Sequence, residues 1–129
     1  MHSYRSLVAW QVAHEFVVLT LRSLDLPYDR RTQPLFDQVR RAAISVEANI
    51  VEGYALGTPA LFARHIRVAV GSAAEAECLL RLAEELSHLP PDYIAAAKPL
   101  VDRCIATLSG LLRRTAGTFP RTAHGSQRT

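Results

Sequence analysis

Apolar residues recur every three to four positions along four stretches of the chain, the period of a helix with one buried face. The first stretch runs from about Ser6 to Leu24. Leu7, Trp10, His14, Val17, Leu21 and Leu24 share one face of it, and Val8, Val12, Phe16 and Leu19 form a second apolar row. Glu15 and Arg22 are its few charged residues. A helix this apolar on most sides calls for two burial surfaces, one inside its own bundle and one outside it. After Asp25-Leu26-Pro27-Tyr28-Asp29 breaks the pattern, a second helix is predicted from Pro34 to Tyr54. Its core rows are Leu35, Val39, Ala42 and Val46 with Phe36, Ala43 and Ile50. Gly53 and Gly57 bracket a short turn. Thr58-Pro59 then reads as N-cap and first helical residue of a third helix, to Ser87. Phe62, Ile66, Ala69, Ala73, Ala76, Leu80 and Ala83 lie along its buried face, and the alanines allow a close helix approach.

His88-Leu89-Pro90-Pro91 stops the third helix, and a fourth is predicted from Asp92 to Thr115. Ile94, Ala97, Val101, Cys104, Leu108 and Leu111 make a short heptad seam in it. Pro99 falls inside, so the first turns are kinked or the regular helix starts near Pro99. No strand-like alternation and no repeat is visible. The pattern predicts an all-α fold, an up-down-up-down antiparallel four-helix bundle. The bundle is expected over residues 1–116 and a disordered polar tail over 117–129.

Composition adds limits. With 129 residues, 49% of them hydrophobic, the chain makes one domain with ample core. No apolar run approaches the roughly 18 residues of a membrane span, and the N-terminus lacks a signal-peptide pattern. The expectation is a cytoplasmic protein with no membrane contact. Cys78 and Cys104 sit in apolar helical patterns and read as buried thiols of a reducing compartment. The formal charge is +3, but Arg121 and Arg128 in the acid-free tail carry +2 of it, leaving the body near neutral. The basic isoelectric point of about 9.2 therefore argues less for nucleic acid than it first suggests. Lys98 is the only lysine; arginine, which suits bidentate phosphate and carboxylate contacts, supplies the rest.

Candidate chemistry concentrates in a polar stripe. Arg41, Ser45, Asn49 and Glu52 step along one face of helix two, and Ser72 and Glu75 share a face of helix three. A hairpin turning near Leu56 brings Arg41 towards Gly71 and Glu75, and Glu47 towards Arg64. The stripe is either a groove site or a hydrogen-bonded network that fixes helix register and partner choice. Other chemistries find no support. Glu85-Leu86-Ser87-His88 is a single Glu-x-x-His, where a di-iron bundle needs two. His14-Glu15 lacks the second histidine of a zinc-protease motif, since Val18 stands there. Gly53 to Gly57 lacks the lysine of a phosphate loop, and Ser45 and Ser72 have no patterned histidine. No cofactor and no metal is expected. For nucleic acid the candidate contacts are Arg30, Arg31, Arg40, Arg64, Arg67, Arg113 and Arg114, whose patches would repeat around a symmetric oligomer.

The run Gln38-Val39-Arg40-Arg41-Ala42-Ala43-Ile44-Ser45-Val46-Glu47-Ala48-Asn49-Ile50-Val51-Glu52-Gly53 resembles the signature of the four-helix bundle proteins encoded in ribosomal-RNA intervening sequences. Val8-Ala9-Trp10-Gln11-Val12-Ala13 looks like that family's opening, and Val68 to Glu75 like its Gly-Ser stretch on helix three. The resemblance covers about Tyr4 to Arg114. It implies a bundle that often forms a ring-like homopentamer, with no known enzymatic activity. A related branch, the accessory variability determinants of diversity-generating retroelements, binds nucleic acid and a reverse transcriptase. Partners so implied are further copies of the chain, RNA or DNA, or an RNA-processing or reverse-transcriptase protein. Arg41, Ser45, Asn49, Glu52, Gly53, Ser72 and Glu75 occupy the signature positions, with a role more structural than catalytic. Leu56 departs from the pattern, where a basic residue is common.

Overall fold

Local chemistry places the helix ends. In the computed structural model, which describes residues 3–118, a short 3-10 turn (Tyr4–Ser6) leads into α1 (Val8–Ser23). Then come α2 (Gln33–Leu56), α3 (Pro59–Leu86) and α4 (Pro91–Thr118). Thr58 caps α3 as its sequence suggests: its Oγ1 accepts from the Leu61 amide at 3.2 Å, and Pro59 follows where no amide is needed. Gly57 ends α2 with a φ of 76°, a left-handed conformation that costs glycine nothing. Gly53 does not help to make that turn. It lies inside α2, one helical turn before the end. Ser87 ends α3 in the same left-handed region. The Ser87 amide donates to the Glu84 carbonyl and the His88 amide to the Ala83 carbonyl, two carbonyls the helix would otherwise leave open. Pro90 and Pro91 follow, and α4 begins at Pro91 rather than at Pro99. Pro99 stands on the exposed side of α4, where the carbonyl it deprives of a partner meets water.

The four helices form a bundle in which α2 packs on α1 and α3, and α4 closes against α1 and α3. No strand occurs among the described residues. No helix of the described residues is long and apolar enough to cross a membrane. Of the rows read from α2 and α3, Phe36, Val39, Ala42, Ala43, Val46 and Ile50 and, across from them, Ile66, Ala69, Ala73, Ala76, Leu80 and Ala83 are buried, while Leu35 and Phe62 are partly buried against the core. In α4, Tyr93 and Leu100 join Ile94, Ala97, Val101, Cys104 and Leu108.

Helix α1 buries part of each expected row, Val17 and Leu24 of the first and Val12 and Phe16 of the second, and leaves the rest. Its buried residues are Ala9, Val12, Ala13, Phe16, Val17 and Thr20, while His14 and Leu21 are exposed. Because α1 is apolar nearly all round, its own period does not select a face. Packing selects one, and the small Ala9 and Ala13 let the neighbours approach. Thr20 is fully buried because its hydroxyl meets the Tyr93 hydroxyl at 2.7 Å, joining α1 to α4. Of the two cysteines, Cys104 is buried, but Cys78 is exposed and both are free thiols. Cys78 lies on the outer face of α3, so it is not part of the core as its apolar surroundings suggest. The expected tail lies outside the described residues, save that α4 continues through 117 and 118.

Candidate functional site

Where α2 crosses α3, the polar stripe closes into a chain of hydrogen bonds. Ser45 Oγ and Ser72 Oγ stand 2.8 Å apart across the seam. The Asn49 amide nitrogen donates to the Ser45 carbonyl at 2.9 Å and approaches the Ser45 hydroxyl at 3.2 Å. Its oxygen, Oδ1, lies 3.0 Å from His65 Nδ1. With that oxygen as acceptor, Nδ1 of His65 is the donor. Glu52 Oε1 stands 3.9 Å from the same Nδ1, beyond hydrogen-bond length. The four central side chains are half-buried, so the network is neither dry nor fully solvated.

Gly53 explains how the helices come so close. A Cβ at this position would stand 2.8 Å from His65 Cβ and 3.4 Å from the Phe62 carbonyl oxygen. The missing side chain lets α3 lie against α2, which brings His65 within reach of Asn49. His65 is the member that sequence reasoning overlooks. Its signal is spacing: His65 and Ser72 are seven residues apart, two helical turns, on the face turned towards α2.

The remaining residues of the stripe are elsewhere. Arg41 is exposed and donates to Gln38 Oε1 on its own helix. Glu75 is exposed too, and the two form no ion pair. The two helices run past each other in the expected register, but their outermost groups do not converge. Glu47 turns to α1 instead of Arg64: its Oε2 lies 2.9 Å from His14 Nδ1. His14 stacks on Trp10, with ring centroids 4.7 Å apart, and Tyr4 meets Trp10 edge-on at 5.3 Å. Trp10 Nε1 is buried and has no hydrogen-bond partner among the described residues.

The arginines divide by position. Arg40 is half-buried and reaches back to the Leu24 carbonyl at the end of α1, with Asp37 at 3.2 Å, so it ties α1 to α2. Arg30 and Arg31 are exposed in the turn before α2, and Arg64 and Arg67 are exposed on α3. Arg113 and Arg114, on α4, line a cleft against the start of α1. Among the described residues, no three of His, Cys, Asp and Glu gather as a metal site requires. Burial pushes the Cys104 thiol up to about 12, which makes it a poor nucleophile at neutral pH. What the seam can do is hold two helices in one register.

The model of one protein family, described as 23S rRNA-intervening sequence protein, matches residues 5–110 of the chain. That span takes in the whole polar network and helices α1 to α3, and stops within α4. A search of curated proteins finds no match.

Proposed function

Because the chain belongs to the 23S rRNA-intervening sequence protein family, we propose that it is a non-enzymatic interaction scaffold, a bundle of up-down-up-down order assembled as a cytoplasmic homo-oligomer. Five chains closing a ring is the assembly its sequence resemblance favours. One observation carries the reading. The outer face of α3 presents Val68, Gly71, Cys78 and Leu82 to solvent, with Val68 and Leu82 exposed by 47% and 44%. A Cβ at Gly71 would have no neighbour within 4 Å. Glycine in mid-helix costs about 1 kcal/mol relative to alanine, and within one chain nothing offsets that cost here. A second chain packed closely on α3 would offset it.

The polar seam supports the same reading. Ser45, Ser72, Asn49 and His65 join in one chain of hydrogen bonds across α2 and α3. Such a network specifies helix register. Static light scattering on the purified chain tests the assembly. The expected mass is about five times the 14.2 kDa of one chain. A mass of one chain at micromolar concentration would refute the proposal.

A further inference from the structure

Near the end of α4, two arginines converge on a glycine. A Cβ placed on Gly110 would lie 3.3 Å from Arg114 Nη1 and 3.8 Å from Arg113 Nη2. The two guanidinium nitrogens are therefore no more than about 7 Å apart, the limit those distances set. Both side chains point back along the helix, as helical side chains do, over one backbone position that carries no side chain, and neither forms an ion pair with any described residue. Beside them opens a cleft of about 600 Å³ between α4 and the beginning of α1. Thr107, Gly110 and Leu111 form its α4 wall, and Ser6 to Ala9 form the other. No carboxylate lines it. Leu7, the N-cap of α1, provides no side-chain hydrogen bond, and the first turn holds no acidic residue. The amides opening α1 thus add unengaged donors to a cleft already made cationic by two guanidinium groups.

We propose that this cleft binds a phosphate group, held by Arg113 and Arg114 and completed by the first-turn amides of α1. Guanidinium forks match phosphate oxygens in pairs, and an anion between them removes the repulsion that otherwise opposes their convergence. The site lies within one chain and stands whether or not the chain assembles. The phosphate belongs either to a small phosphorylated molecule or to the backbone of a nucleic acid.

Isothermal titration at low ionic strength tests the proposal with three probes: inorganic phosphate, adenosine monophosphate and a short single-stranded RNA. Saturable binding is expected. The double substitution Arg113→Gln with Arg114→Gln should weaken it about tenfold or more, the equivalent of about 1.4 kcal/mol. Gly110→Ala should weaken it as well by displacing the Arg114 guanidinium, while leaving the helix as stable as before or more so. Arg64→Gln with Arg67→Gln, an equal loss of charge elsewhere, should change affinity by less than about twofold. Affinity that is much higher for the RNA than for the two small probes, and that falls steeply with salt, identifies a backbone phosphate. Comparable affinity for all three probes identifies a small-molecule phosphate. The absence of saturable binding by every probe, or equal losses in the two double variants, would overturn the proposal.

Discussion

Single atoms decide how closely the helices of this bundle approach. At Gly53 an added methyl group meets His65 Cβ at 2.8 Å, and that neighbour is attached to backbone rather than to the end of a flexible chain. Gly53→Ala should therefore destabilise the fold by about 1–3 kcal/mol through overpacking. The roughly 1 kcal/mol that alanine otherwise brings to a helix interior is too small to reverse the sign. Urea unfolding measures the difference; an unchanged or higher midpoint would show that α2 and α3 can part without cost. Two buried acids give a second test at this scale. Burial favours their neutral forms, lifting Tyr93 from 10.0 to about 12 and Cys104 from 9.0 to about 12. Both shifts are upward for groups that ionise to anions. Their contribution to stability is complete below about pH 9 and is lost as pH rises towards 12. The urea midpoint should fall between pH 9 and 11. Cys104→Ala should remove the part of the fall that begins near 9, and Tyr93→Phe the part that begins near 10.

At the scale of elements, the α2–α3 seam behaves as one unit. Asn49→Leu deletes a donor to Ser45 and the acceptor for His65 together, stranding polar groups that are only half wet. A loss of about 1–2 kcal/mol is expected in urea unfolding. Removing both hydroxyls of the cross-seam pair, with Ser45→Ala and Ser72→Ala, leaves no partner stranded and should cost less than the Asn49 change. A double variant as damaging as Asn49→Leu would refute the idea of a linked network. How much of this was legible in the sequence differs from helix to helix. In α2 and α3 the core residues recur at helical spacing in one continuous row, so period alone located Ala69, Ala73 and Leu80 and their partners. In α1 that contrast is absent, and the buried face followed the neighbours, moving from His14 and Leu21 to Ala13 and Thr20. Cys78 was misread for a related reason: a thiol among alanines and leucines carries no mark of which side it faces. Ser45, Asn49 and Ser72 were readable as a stripe because they recur at helical spacing. His65 was not, since its place depends on the absent side chain of Gly53 on another helix. The pairing of Glu47 with His14 likewise needed the true phase of α1.

For the whole molecule the question is what covers α3. Gly71 separates folding from assembly, because its missing side chain has no intramolecular neighbour. Gly71→Leu replaces a poor helix former with a good one, worth up to about 1 kcal/mol to the isolated bundle. A Cβ there meets no described atom within 4 Å, so the unfolding midpoint of the dissociated chain should stay level or rise. In the assembly the same leucine stands where a second chain approaches closely, and the misfit should raise the concentration at which subunits dissociate. A dissociation constant about tenfold weaker corresponds to about 1.4 kcal/mol, a modest penalty for overpacking an interface. The two measurements run in opposite directions if α3 is the contact face: a fold as stable as before, and light scattering that falls towards one chain on dilution. Retention of the full oligomer mass by Gly71→Leu would place the contact elsewhere, and Val8 and Leu21 on α1, exposed by 56% and 41%, are an apolar surface to test next.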